Sequence, residues 1–340
     1  MEDAQTRGGR LRTLVFAALP ALVVLAVCDL GIRYWYGVSA WTLATDVLLR
    51  HSGPEHYVFD GPLARADPVV GYACIPGVHR IILVRGVARL PFRVTIGSDG
   101  YRVAGPDRHA GALPEVWIFG CSYTWGLGLD DDQTFPWLVQ SAMPGATVHN
   151  FGGNGYGNVQ ALLLLRHAVE SKARLPRIAV VVYNDFDVER NVGAPSYLRG
   201  MDATGEAFRR SGVAVPFVSI GGDGRPEVRW FHLFHGETIQ QPEAGRAYAL
   251  RVTDSVLDEI DSICSAHEIA PILAVQSQPE GDPVVTHARE KGYIIANLFV
   301  DLNERAGRRY RLLPVDGHPN SRADRVYADK LLPVLRGVPR

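Results

Sequence analysis

The stretch Glu115 to Gly128, EVWIFGCSYTWGLG, carries an apolar run that breaks at Gly120 into Cys121, Ser122 and Thr124. A run of this length reads as a buried strand, and a strand that stops at Gly-Cys-Ser is placed to present a nucleophile. Three more polar clusters follow later in the chain: Asn150-Phe151-Gly152-Gly153-Asn154-Gly155-Tyr156-Gly157, Tyr183-Asn184-Asp185 and Asp316-Gly317-His318-Pro319-Asn320. Acyl transfer needs a hydroxyl, a base to activate it, a group to orient that base, and donors aimed at the developing oxyanion. Ser122, His318 and Asp316 fill the first three roles. The backbone N–H groups of Ser122 and Gly155 and the side-chain amide of Asn184 fill the fourth. Glycine at 155 is expected to let the backbone approach a tetrahedral intermediate.

These clusters must be held by the elements that precede them. Strand-like runs at Val116 to Phe119, Thr147 to Phe151, Ile178 to Tyr183, Ile272 to Gln276 and Tyr293 to Leu298 alternate with helical stretches. The helices fit Phe135 to Ala142, Asn158 to Ser171, Arg246 to His267, Val284 to Lys291 and Arg322 to Leu335. Such alternation predicts an α/β fold with a parallel sheet covered on both faces, in which ligands bind beyond the carboxyl ends of the strands. The interval 186–245 interrupts the alternation and reads as an insertion with a hairpin turning at Gly221-Gly222-Asp223-Gly224. Residues 34–110 read as a small β-rich lead-in. In it, Arg80 to Ile96 forms a hairpin closed at Ser98-Asp99-Gly100.

Composition narrows the partners. A formal net charge of −1 over 340 residues gives no sign of nucleic-acid binding. The four cysteines, Cys28, Cys74, Cys121 and Cys264, have no CxxC or metal-ligand spacing, so neither a metal nor a cofactor is expected. Three of them, Cys74, Cys121 and Cys264, read as small buried residues, with a disulfide between two of them as the alternative. His232 and His235 lie three apart on a strand-like run, so they face opposite ways and form no metal pair. An apolar segment from about Leu14 to Ile32 follows Arg7, Arg10 and Arg12 and is near the roughly 20 residues that span a bilayer. It predicts an anchor in residues 1–33 with the arginines cytoplasmic and the remainder, residues 111–340 included, outside. A cleaved signal peptide and a secreted product is the alternative.

In the order and spacing of its four clusters, the chain resembles the SGNH (GDSL) hydrolase superfamily over roughly residues 115 to 335. On that resemblance Ser122 corresponds to the nucleophile of the first block, Gly155 to the glycine of the second, Asn184 to the asparagine of the third and His318 to the base of the last. The resemblance implies a three-layer α/β/α sandwich with a flavodoxin-like parallel sheet, and an activity among the esterases, lipases, carbohydrate deacetylases and related acyltransferases. Two positions depart from the family pattern. Cys121 stands where the family usually has Asp. Two residues usually separate the family's Asp and His, so Val315 stands at the acid's place and Asp316 has only Gly317 between it and His318. The expected function is therefore a serine esterase removing an acyl group, acetyl above all, from a carbohydrate or other small ester. The alternatives are an O-acetyltransferase on envelope polysaccharide and a silent domain that binds glycan or a membrane partner. Cys121 itself is read as a buried residue and not as the nucleophile.

Overall fold

A computed structural model describes residues 2–49, 56–106, 115–203, 213–233 and 245–339, with the side chains of 2–17 and 202–203 outside that description. Its strands in chain order are β1 (His56–Phe59), β2 (Ala64–Asp67), β3 (Gly71–Cys74), β4 (Gly77–Arg85), β5 (Ala88–Ile96) and β6 (Glu115–Gly120), then β7 (Thr147–Gly152), β8 (Ile178–Tyr183), β9 (Ala214–Ile220), β10 (Pro226–His232), β11 (Ala270–Val275) and β12 (Ile294–Asn297).

Five of these form the central sheet in the order β12-β11-β8-β6-β7, and every pairing is parallel. Chain order therefore reverses at β6, with β7 on one side and β8 on the other, which is the flavodoxin-like arrangement. In such a sheet the crevice outside the carboxyl ends of the two strands at the reversal is where ligands sit. All residues of β6 and β8 are buried, as continuous apolar strands covered on both faces must be. Side-chain alternation along β6 divides the core. Trp117 and Phe119 join Leu162, Val256 and Val284 on one face, while Val116 and Ile118 join Phe135, Tyr327 and Leu331 on the other. The result is the three-layer sandwich expected from the sequence, and each fully buried Leu, Ile or Phe contributes about 1.5–3 kcal/mol to holding it.

The lead-in is tied into this frame. β4 pairs antiparallel with β1 on one side and β5 on the other. The β4–β5 hairpin turns at Gly86-Val87, not at Ser98-Asp99-Gly100 as the sequence suggests. The latter turn lies past the end of β5, where the Gly97 N–H reaches Tyr101 O, and it sends the chain back so that Arg102 bridges Ile96. Ile81, Leu83, Phe92 and Val94 of the hairpin pack against Trp125, Leu127, Leu312 and Val315. The insertion does contain the expected hairpin, β9–β10, with a turn whose Gly224 N–H bonds Gly221 O. His235 lies outside the described residues.

At the N-terminus, Glu2–Tyr36 is one helix. Its stretch Ala18–Tyr36 has a mean hydropathy of 1.6 and none of it is buried in the protein, so it is no core helix and is long and apolar enough to cross a membrane. It runs past the Leu14–Ile32 expected from sequence, and Asp29 within it is partnered on both oxygens. One Asp29 oxygen accepts from Arg33 Nε at 2.6 Å and the other from the Ala40 N–H at 2.7 Å. That second bond fixes the following helix, Ala40–Leu49, against the end of the first. Arg7, Arg10 and Arg12 have side chains outside the described residues.

Candidate active site

Gly120 is the last residue of β6, and a side chain there would start 2.1 Å from Thr124 Oγ1. Gly152, the last residue of β7, would likewise place a Cβ 2.6 Å from the Trp125 nitrogen. The two glycines allow the chain after Cys121 to fold back onto the sheet edge as a single helical turn, Ser122–Trp125, which Gly126 ends at φ 83°. Ser122 opens this turn at the carboxyl end of the central strand and is only 6% exposed.

The turn is braced from the lead-in. Arg102, fully buried, donates from Nε to Asp131 Oδ1 at 2.9 Å and from its two other nitrogens to the carbonyls of Arg93, Trp125, Gly126 and Leu129. Every nitrogen of the guanidinium thus has at least one acceptor, and the charge has a carboxylate, as a buried arginine needs.

His318 arrives from the far end of the chain. The segment before it is irregular and closes on itself, the Leu312 N–H donating to His318 O at 2.9 Å. Asn320 holds its exit: the side-chain amide donates to the carbonyls of Arg309 and Arg311, each at 2.8 Å, while its oxygen caps the helix Ser321–Gly337 through the N–H groups of Arg322 and Ala323. His318 Nε2 then lies 3.0 Å from Ser122 Oγ, and its Nδ1 lies 2.5 Å from Asp316 Oδ1. The Tyr123 ring stands edge-on to the imidazole at 5.3 Å. Burial pushes the Asp316 carboxyl up, but its hydrogen bonds and charge contact with His318, helped by Arg85, outweigh this and leave it below the ordinary value. It is therefore the ionised partner of the imidazole at neutral pH.

The structure also accounts for the departure at Val315. Its side chain is turned into the apolar cluster with Leu312, Trp125 and Leu83, and the next residue, Asp316, faces the histidine.

Asn184 follows β8 and is buried; its amide nitrogen lies 3.2 Å from Gln276 Oε1 and 3.8 Å from Cys121 Sγ. Its backbone N–H donates to Asp187 Oδ2 at 2.9 Å. Burial raises the Asp187 carboxyl to about 7 despite Arg190 and that N–H. Cys121 is buried, and the same desolvation raises its thiol, so it is held as an uncharged group. All four cysteines are free thiols.

Gly155 has φ 80°, and a side chain there would begin 2.4 Å from Met201 Sδ and 3.0 Å from Tyr72 OH. The position demands glycine for its backbone and because the lead-in and insertion pack against it, a different reason from the open approach expected from sequence. Gln276 and Arg190 were not singled out by sequence reading. Gln276 is the first residue after β11, whereas the sequence places it inside the strand run Ile272 to Gln276, so nothing in the sequence set it apart. Arg190 Nη1 donates to Tyr156 O at 2.7 Å and reaches Asp187 at 3.5 Å. Among the described residues no group of three His, Cys, Asp or Glu side chains is placed to hold a metal.

No protein-family model matches the chain, and no curated protein sequence does. Solved structures do resemble it. A member of the lipolytic G-D-S-L family from Veillonella parvula is 14% identical, with 66% of this chain and 99% of that one covered and a TM-score of 0.36. A psychrotrophic esterase from Pseudoalteromonas sp. is 13% identical over 66% of this chain and 97% of its own, at 0.38. An acetylxylan esterase from Geobacillus stearothermophilus, a catalytic mutant, is 12% identical over 66% and 94%, at 0.34. With TM-scores this low, the likenesses add nothing to what strand order and side-chain geometry carry by themselves.

Proposed function

We propose that the protein is a serine ester hydrolase that works through an acyl-enzyme on Ser122. The observation that carries this reading is the unbroken relay from Ser122 Oγ to His318 Nε2 at 3.0 Å and from His318 Nδ1 to Asp316 at 2.5 Å. Asp316 keeps the proton on Nδ1, which leaves Nε2 free to take the Ser122 proton as Oγ attacks the ester carbonyl. The carbonyl π pair moves onto oxygen, and the Ser122 and Gly155 N–H groups and the Asn184 amide are the assigned donors to that oxyanion. Asn184 has a hydrogen to give, because its contact at 3.8 Å with a sulfur is a weak bond to exchange. Collapse expels the alkoxide, which takes the proton from His318. Water then repeats the sequence on the acyl-enzyme, His318 acting as its base, and releases the carboxylic acid.

The catalytic unit is residues 111–340, and the N-terminal helix is a single membrane span with that unit outside. A short acyl group on a carbohydrate of the cell envelope, acetyl above all, is the substrate class that fits this placement. A fluorophosphonate probe tests the nucleophile in the full-length protein: labelling is expected for wild type and lost in Ser122→Ala, and a folded wild type that stays unlabelled overturns the assignment. Release of acetate from O-acetylated polysaccharide tests the substrate. A reporter fused after Arg340 that is active only in the cytoplasm defeats the topology.

A further inference from the structure

Beside the candidate site, a cavity of about 340 Å³ opens between the helix Ala40–Leu49 and the segment that leads to His318. Its wall includes Asp46, Arg85, Asn303, Arg308, Arg311 and Gly317. Three guanidinium groups and one carboxylate therefore stand among its described lining residues, and Arg85 also acts on the Asp316 carboxylate outside the lining. The lining carboxylate is shared: Asp46 lies 3.1 Å from Arg308 and 3.8 Å from Arg85. Arg85 Nε is buried and has no hydrogen-bond partner. Arg311 is braced from Nε to Leu302 O at 2.7 Å and from Nη2 to Asn303, which leaves Nη1 on the Gly317 side, 3.5 Å from where a side chain at 317 would begin.

Arg102 shows what this chain does with an arginine whose task is structural, since each of its nitrogens meets an acceptor. Arg85 of the cavity is not used that way, since its buried Nε meets none. An orphaned buried Nε costs stability unless something fills it, and planar N–H forks converging on a polar cavity match the oxygens of a tetrahedral anion. We infer that the Arg85–Arg308–Arg311 cavity is an anion site that takes a phosphate group. Gly317 is both its wall and the residue between Asp316 and His318, so a bound phosphate would sit against the loop that carries the candidate base. The cavity also borders the helix joined to the end of the apolar N-terminal helix, where Trp41 and Leu48 are 80% and 73% exposed. Phosphate can reach it there from a lipid headgroup or from solution, as a free ion or on a substrate. The inference does not depend on the reaction assigned to Ser122.

The test uses the full-length protein. Inorganic phosphate is titrated calorimetrically into protein in an uncharged detergent, and melting is compared in nanodiscs of phosphatidylglycerol and of the phosphate-free lipid digalactosyldiacylglycerol. Arg85→Gln is the informative variant, because it removes the orphaned donor and leaves the Arg308–Asp46 pair. Saturable phosphate binding that weakens about tenfold or more in Arg85→Gln supports a site open to soluble phosphate. A melting temperature raised by phosphatidylglycerol over digalactosyldiacylglycerol, with the difference lost in Arg85→Gln and no response to inorganic phosphate, supports the headgroup as the source. Arg85→Lys should keep only part of either effect, since it retains charge and loses the fork. No response to phosphate or to the anionic lipid, or equal responses from wild type and Arg85→Gln, overturns the inference.

Discussion

The two halves of the candidate site are built in opposite ways. Ser122 stands just beyond a central strand whose every residue is buried, and the turn that carries it is gripped at the Trp125 and Gly126 carbonyls by one arginine that makes five hydrogen bonds in all. His318 and Asp316 stand on an irregular segment held by a backbone closure, by Asn320 and by a few apolar side chains. What joins the halves is the lead-in, because Ile81, Leu83 and Phe92 pack in one cluster with Trp125 after Ser122 and with Leu312 and Val315 before His318. A nucleophile gains from immobility, while a base must swing its proton from one oxygen to another. On the proposed reading of Ser122 and His318, the difference in support matches the difference in task.

The comparison can be broken from either side. Ser122→Ala should remove about 10³-fold or more of the esterase rate with melting unchanged, read by initial rates and calorimetry. Arg102→Met strands Asp131 without its charge partner and should cost about 3–5 kcal/mol in urea unfolding, with activity falling as the Ser122 turn loosens. Asn320→Ala, the matching cut on the His318 side, should cost about 1 kcal/mol for the lost cap and about 0.5–1.5 kcal/mol for each hydrogen bond lost at the Arg309 and Arg311 carbonyls, and should lower kcat as that segment loosens. Equal losses of stability from these two variants would end the proposed contrast.

Three smaller effects sharpen it. Asp187 binds its proton more tightly folded than unfolded, with a folded value of about 7, so its contribution to stability falls as pH rises from about 4 towards 7. Asp187→Asn should flatten that part of the melting-temperature profile. Asp316 has the opposite sign: its lowered value stabilises the fold above the unfolded pKa and is lost as pH falls below about 4. Cys121→Ala should leave fluorophosphonate labelling intact and change the rate least, because a buried thiol offers Asn184 only a weak acceptor at 3.8 Å. Loss of labelling in that variant would move the nucleophile from Ser122 to Cys121.

Much of the fold was legible because its signals are local. The apolar runs of β6, β7, β8, β11 and β12 and the helix periods between them are properties of neighbouring residues, and so is the Asn320 cap that starts the last helix. The misplaced hairpin turn is instructive: Ser98-Asp99-Gly100 has the stronger turn composition, yet cross-strand pairing of Arg85 with Ala88 put the reversal at Gly86-Val87. The bracing role of Arg102, the contact of Gln276 with Asn184 and the packing of Met201 against Gly155 had no sequence signal, since each joins segments distant along the chain.

The sequence by itself determined the alternation of strands and helices and the identity of four polar clusters, three after strands of the central sheet and one before the last helix, because residue type and period act within a few positions. Only the tertiary structure decided that Val315 turns into the core while Asp316 meets the imidazole, and that three arginines converge on one cavity. The physical reason is the same in both cases. Which way a side chain points on an irregular segment is set by what the rest of the molecule packs against it.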